Sequence, residues 1–379
     1  MTQVDQSEED GNMGYPRVLL REEVMREGMQ IESVDIPVEV KADLLQELAE
    51  CGLPEINVGS FVSPRYTPQM ARIGEVLERF KPVEGPRYYC LAMNQKGIER
   101  ASEFPWLQVP GRDGFSTGAH LCDTFIRRNA NRSQADEIAN WSRTIQRAVD
   151  AGATEARIMV GAAWGSNFEG PFSTEQRMDM LRRQHDAWAD AGITVTTVSF
   201  ADPMGWCMPH WVEETIAAVR QEWPEVRRIA QHLHDSRGMA LASTYATIKA
   251  LDESFDVSFD VTAGGIGGCP YCGNGRATGM AATEDVVNMC NAMGIPTGVD
   301  LDRLITFVAK LDGVLGRATP GRTSKTGPLP LSPDQYYDPN LPLVETYEEA
   351  QHFRLGSAVV EHQIRPWKEP IPSPQDRSA

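Results

Sequence analysis

Hydrophobic and polar positions along the chain follow two periods in alternation. Short apolar runs with strand character are followed by stretches whose apolar residues return every three or four positions. Arg17-Val-Leu-Leu-Arg-Glu22 reads as a first strand and runs on into Glu23-Val-Met-Arg-Glu-Gly-Met-Gln30. Residues 38–51 place Val40, Leu44, Leu45 and Leu48 at helical spacing, with Gly52 as the stop. Further strands are predicted at 55–62, 87–93, 115–119, 156–161 and 193–200, then through Glu225 to His234, and at 255–261. The run at 193–200 is the clearest by its β-branched residues. Between them the spacing predicts helices at 68–80, 96–104, 133–151, 174–191, 209–222 and 239–251, and one starting near Thr283. Ser133 and Thr174 are the expected caps.

Eight strands alternating with helices predict an α/β chain folded as a (β/α)8 TIM barrel with a C-terminal extension. Residues 1–15 are polar and acidic and read as a disordered tail. Residues 16–329 form the expected barrel domain. From 330 to 379 prolines interrupt regular structure (Pro330, Pro333, Pro339, Pro342, then Pro366 to Pro374), and this stretch reads as an extension wrapping the barrel or a neighbouring subunit.

Composition narrows the function. With 379 residues and 41% hydrophobic content the chain can bury a large core, and 23% charged residues is ordinary for a globular protein. A net charge of −17 argues against nucleic acid and anionic membrane surfaces, which need a basic face. No apolar run is long enough to span a bilayer, and the N-terminal residues lack the apolar core of a signal peptide. Seven scattered cysteines suit reduced thiols in the cytoplasm.

In a barrel the chemistry sits at the C-terminal strand ends, and the reactive residues of this chain follow predicted strands. Gln231-His232-Leu-His234-Asp235 puts two imidazoles on one face of a strand end, half of a divalent-metal site. Arg26-Glu27-Gly-Met-Gln30 offers a guanidinium, a carboxylate and an amide. Glu27 completes a set of two imidazoles and one carboxylate, and Arg26 suits a carbonyl oxygen that gains negative charge during C–C cleavage. A surface helix cap with an adjacent charge pair is the other reading of that stretch. Asp202, before Pro203, either supports a metal-bound water or starts a turn. The Gly264–Gly275 stretch is glycine-rich and suits a lid, with Cys269 as general acid or base. The Cys269–Cys272 spacing also fits a redox pair or half a zinc knuckle, though the second half of a knuckle is missing. Lys96, Arg127 and Arg128 are either solvated surface or contacts for an anionic substrate tail.

Taken together the motifs resemble 3-hydroxy-3-methylglutaryl-CoA lyase, within a wider group of metal-dependent barrel lyases and condensing enzymes. The segments that carry the resemblance are Gly59–Met70, His232-Leu-His-Asp235, Ala263–Tyr271, Ala282-Thr-Glu-Asp285 and Gly294–Val299, in the family's order. The resemblance implies a barrel that binds Mg2+ or Mn2+ (Zn2+ is also open) and cleaves a 3-hydroxyacyl-CoA by a retro-Claisen reaction. It gives Arg26 the catalytic arginine's place, Glu27 that of a metal-binding aspartate, His232 and His234 the two metal-binding histidines, and Cys269 the lid cysteine. Catalytic roles are then expected for Arg26, His232, Cys269 and Asp202, and substrate contacts for Gln30, Asn57 and Ser60. The expected partner is a small molecule, a CoA thioester; a homo-oligomer is the family habit.

This chain departs from the pattern at the metal and substrate positions. The family's aspartate ligand is Glu27, its glutamate on the second strand is Asn57, and its metal-binding asparagine aligns with Met280, a poor donor for a hard cation. The lid is longer by about two residues on this alignment, so Asn274 is the candidate replacement ligand. After the fifth strand the family's Gly-Cys-Pro-Tyr-Glu-Gly reads Gly165-Ser-Asn-Phe-Glu-Gly170. Such changes fit a related lyase with a different hydroxyacyl substrate. A condensing enzyme joining an acyl-CoA to a 2-oxo acid, or a barrel used only as a binding partner, are the rival expectations.

Overall fold

The computed structural model of the chain describes residues 14–92, 94–108, 114–272, 279–344, 346–361 and 365–373. Most of the expected N-terminal tail and the candidate ligand Asn274 lie outside the described residues. Eight strands correspond to the predicted ones: β1 Arg17–Glu22, β2 Glu55–Ser60, β3 Arg87–Leu91, β4 Phe115–His120, β5 Glu155–Gly161, β6 Thr194–Asp202, β7 Arg228–Leu233 and β8 Asp256–Val261. All run parallel in one curled sheet, in the order β3-β2-β1-β8-β7-β6-β5-β4. The last strand is joined to the first where β8 pairs with β1, with six residue pairs from Arg17–Asp256 to Glu22–Val261. A parallel ladder of this kind needs a crossover between strands, and the helices supply it.

Two features differ from the sequence reading. Between β3 and β4 no ladder is formed among the described residues; a two-residue strand, Leu107–Gln108, pairs with β3 instead. The barrel interior there is charged. Arg21 donates to Glu55 at 2.8 Å, Arg87 also bonds Glu55, and Arg21 lies 4.8 Å over the Tyr89 ring. A cavity of about 380 Å³ runs along Arg21, Arg157, Ser199, His232 and Asp260. Polar walls of this sort do not pack into the usual layered core.

The second correction concerns 133–151. It is two helices, Gln134–Ala139 and Trp141–Asp150, preceded by a third, Asp123–Ala130. Two anchors on β4 bend the chain: Glu137 accepts from the His120 backbone N–H at 2.9 Å, and Trp141 Nε1 donates to the Gly118 carbonyl at 2.9 Å. Elsewhere the stop signals act as read. The first helix, Val38–Ala49, ends ahead of Gly52, whose φ of +77° suits glycine and whose Cβ would lie 2.4 Å from the Gly298 carbonyl.

The closure of the barrel is stapled by Glu22. One of its oxygens accepts from the backbone of Val24 and Ala263, each at 2.9 Å, and the other from the Thr283 hydroxyl at 2.6 Å. Glu284 accepts from Gly264 N at 2.9 Å, and Asp285 accepts from Thr323 N at 2.6 Å. The Ala-Thr-Glu-Asp segment thus ties the helix Thr283–Ala292 to the ends of β1 and β8. Beyond it the helix Leu301–Leu315, which the periodicity reading leaves unmarked, meets the C-terminal extension where Arg354 reaches Asp312 at 2.9 Å.

Burial pushes the Glu22 carboxyl up to about 8 and that of Glu284 up to about 7. The folded protein therefore keeps protons that the unfolded chain releases near pH 4. The stability these groups contribute is complete below that pH and is lost as pH rises through about 7 to 8. Glu22→Gln keeps the acceptor and can donate to Thr283. Its melting temperature is expected to fall less than the parent's between pH 5 and about 8.5, measured by thermal melts across that range. An unchanged slope would show that Glu22 is ionised in the folded state.

Candidate active site

After β1 the chain makes one wide turn, Val24–Gly28, in which Gly28 N donates to the Glu23 carbonyl at 3.1 Å. The turn carries Arg26 and Glu27 across the end of β7. Gly267, in the loop after β8, lies against its backbone: a Cβ there would stand 3.1 Å from the Glu27 carbonyl oxygen. Glu27 and His234 are buried, and His232 is partly so. One ligand atom from each of Glu27, His232 and His234 lies within 4.8 Å of the other two. His234 Nε2 stands 3.7 Å from Glu27 Oε1, and the two imidazole rings are 5.1 Å apart. The three residues proposed from sequence as a ligand set therefore do meet.

The donors are prepared differently. His232 Nδ1 pairs with Asp260 Oδ2 at 2.9 Å, which leaves Nε2 for a metal and fixes the ring. Burial works against a charged His232, but Asp260 and then Glu27 outweigh it and hold its pKa above the ordinary value. Burial drives His234 down to about 4, so its imidazole is neutral at pH 7. Its Nδ1 is buried without a hydrogen-bond partner among the described residues. Burial would raise the Glu27 carboxyl; Arg26, the two histidines and a hydrogen bond from Gln30 reverse that and hold it low. A neutral imidazole, a second imidazole oriented by a carboxylate and an ionised carboxylate form a donor set that fits a divalent cation.

Arg26 bonds to Glu27 Oε2 and, at 2.7 Å, to Glu23 Oε2. Burial opposes its charge, and Glu23 and Glu27 outweigh burial and push its pKa up. Cys269 is buried beside this cluster. A hydrogen bond from Cys272 holds its thiol below the ordinary value against burial, while Cys272 itself is pushed far up. The Cys272 sulfur also stands 2.9 Å from the Pro203 carbonyl. Neither cysteine is bonded as a disulfide.

The other expected residues are engaged within the protein. Asp202 lies outside the three-ligand group. One of its oxygens accepts from Cys207 N at 2.7 Å, and the other is buried and unpaired among the described residues. Asn57 Nδ2 donates to Glu23 at 3.1 Å, and Ser60 Oγ accepts from Val62 N at 3.3 Å. Met280 is buried, and its backbone bridges that of His234. Of the surface cations, Arg128 donates to the Tyr271 carbonyl at 3.0 Å, in the loop after β8, while Lys96 is exposed. Sequence reasoning missed Glu23 and Asp260. Asp260 could have been found as the polar residue near the end of Asp256-Val-Ser-Phe-Asp-Val261, on the strand beside His232.

Comparison with known proteins places this geometry. The HMGL-like family model matches residues 17–310. The chain is 33% identical over 314 residues to the 3-hydroxy-3-isohexenylglutaryl-CoA/hydroxymethylglutaryl-CoA lyase of Pseudomonas aeruginosa, covering 83% of this chain and 98% of that one. It is 31% identical over 314 residues to the (R)-citramalyl-CoA lyase of Chloroflexus aurantiacus, covering 80% and 93%. A solved HMG-CoA lyase from Acinetobacter baumannii, in complex with coenzyme A and 3-methylmalate, superposes with a TM-score of 0.67 at 29% identity, over 83% of this chain and 97% of that one. On the span of the family match and these likenesses the chain belongs to the HMGL-like family and is an enzyme of the carbon–carbon lyase type.

Proposed function

We propose that this chain cleaves a 3-hydroxyacyl-CoA thioester, 3-hydroxy-3-methylglutaryl-CoA or a close relative with another acyl group, and does so with Mg2+ or Mn2+. The observation that carries the reading is the meeting of Glu27, His232 and His234 around one point, with Arg26 on the far oxygen of Glu27. Glu27, His232 and His234 would hold the cation. When bound, the cation supplies fixed positive charge to the substrate's hydroxyl and carbonyl oxygens. The relatives' names differ in their acyl group, and so the acyl group is the open variable here.

The proton of the 3-hydroxyl passes to a base, the C2–C3 bond breaks, a carbonyl forms on C3, and the electron pair goes to the thioester enolate, which takes a proton at C2. Arg26 is a fixed cation on the wall of the site, suited to the enolate oxygen, where charge grows during the break. Cys269 moves the proton at the carbon that must be reprotonated, and a thiol held below its ordinary value gives up that proton more readily. In this reading Gln30 orients Glu27 and Asp260 orients His232. Asp202 shapes the 203–207 loop under the lid. The same reading places the protein in the cytoplasm as a homo-oligomer. No helix of the described residues is long and apolar enough to cross a membrane.

Calorimetry on metal-stripped protein is expected to show one Mn2+ site per chain. Glu27→Ala and His234→Ala should abolish it. Asp260→Asn should weaken it about 10- to 100-fold. Affinity should fall as pH drops through the raised pKa of His232, because the proton competes with the cation. Binding that survives in Glu27→Ala would remove the site from this place.

Turnover is tested by following thioester products from 3-hydroxy-3-methylglutaryl-CoA, citramalyl-CoA and 3-hydroxy-3-isohexenylglutaryl-CoA. Release of a shortened acyl-CoA and a carbonyl acid is expected from at least one. On that substrate Arg26→Gln should lower kcat about 100- to 1,000-fold, and Cys269→Ala about 100-fold or more. Full turnover in both variants would refute the roles given to Arg26 and Cys269.

A further inference from the structure

The reaction as described uses Arg26, Glu27, the two histidines and Cys269. Glu23 is a buried charge that takes no part in it. Glu23 is 2% exposed, and its backbone N–H is tied to the Val261 carbonyl at 2.7 Å. One carboxylate oxygen, Oε2, takes Arg26 Nε at 2.7 Å and Nη2 at 2.6 Å. The other, Oε1, takes Asn57 Nδ2 at 3.1 Å. Both oxygens are thus committed, one to the guanidinium and one to the neighbouring strand.

A buried ion pair is a poor way to stabilise a fold, since desolvation offsets most of the attraction. Its effect is on geometry. Held by Glu27 alone, the guanidinium would pivot about a single N–H. Glu27 takes Nη1, and Glu23 takes Nε and Nη2 on the adjoining edge. A guanidinium has five N–H groups, so three are bound and two remain, in a plane that cannot turn. Glu27 is also shared with His234 and with any cation in the site, whereas Glu23 lies outside the ligand group.

We propose that Glu23, braced by Asn57, is the positioning residue that fixes the plane of Arg26 and aims its two remaining N–H groups at the thioester oxygen. The inference rests on the lyase reading above. It also accounts for Asn57: a second acid at that place would face the Glu23 oxygen that its amide now occupies.

The test is a double-mutant cycle on the metal-loaded enzyme, using whichever thioester the parent cleaves. Glu23→Gln keeps the shape and is expected to lower kcat about 10- to 100-fold, with KM and Mn2+ affinity within about threefold of the parent. In an Arg26→Lys background the same change should cost less than about twofold, because the plane that Glu23 fixes is gone. Asn57→Ala, which removes the brace but keeps the charge, should lower kcat about threefold to tenfold and serves if Glu23→Gln does not fold. Parental kcat in these variants, or an equal loss with and without Arg26, overturns the proposal while leaving the lyase reading intact. No cleavage of any hydroxyacyl-CoA by the parent overturns both.

Discussion

The pairing of β1 with β8 is the contact on which the rest depends. It joins Arg17 to Asp256, 239 positions apart, and continues in register to the pair Glu22–Val261. The turn after β1 brings Glu23, Arg26 and Glu27; β8 brings Asp260; β7, one strand over, brings His232 and His234. These three groups of residues are far apart in sequence. The Glu22 staple depends on a proton: a neutral carboxyl inside the closure can accept two backbone N–H groups and share a proton with Thr283 without leaving a charge unpaired. So the barrel is closed by an uncharged acid, and the site beside it is built from charged ones.

That contrast organises the electrostatics. Identical residue types take opposite states a few ångströms apart. His232 is drawn toward the proton by Asp260, and His234 is driven away from it by burial. Glu27 is held low by Arg26 and the imidazoles after burial is overcome, and Glu22 is pushed up by a burial that its hydrogen bonds do not offset. Cys269 and Cys272 divide in the same way, the first lowered because the second gives it a hydrogen bond. In each case the balance of burial against the nearest partners, and not the residue type, decides which group holds charge.

The strands are legible in the sequence because a buried parallel strand writes itself as a short β-branched or apolar run, and the C-terminal ends of such strands gather polar residues. The His-x-His pair is legible for the same reason: strand alternation puts both rings on one side. The reading fails where a short polar strand end makes a tertiary contact. Nothing in Gln134–Asp150 announces that Glu137 and Trp141 are both pulled onto β4. In sequence Glu23 is only a link between a strand and Arg26, since its meaning lies in Asn57, on another strand. Asn57 looks like a lost acid because sequence shows substitutions one at a time, while the pair is one hydrogen bond.

The loop after β8 has closed ends. Gly279 N donates to the Gly267 carbonyl at 2.9 Å, Asp235 N donates to the Gly279 carbonyl at 2.9 Å, and Met280 bridges to His234. The segment that carries Cys269 therefore begins and ends at one fixed point beside His234. Lengthening a loop whose ends are already clamped costs only closure entropy, roughly 0.1 to 0.2 kcal/mol for two residues in a dozen. Chain can be added or exchanged there almost without penalty to the fold. The loop is thus the part of the molecule where new chemistry can be tried by insertion, one turn away from histidines that stay where they are.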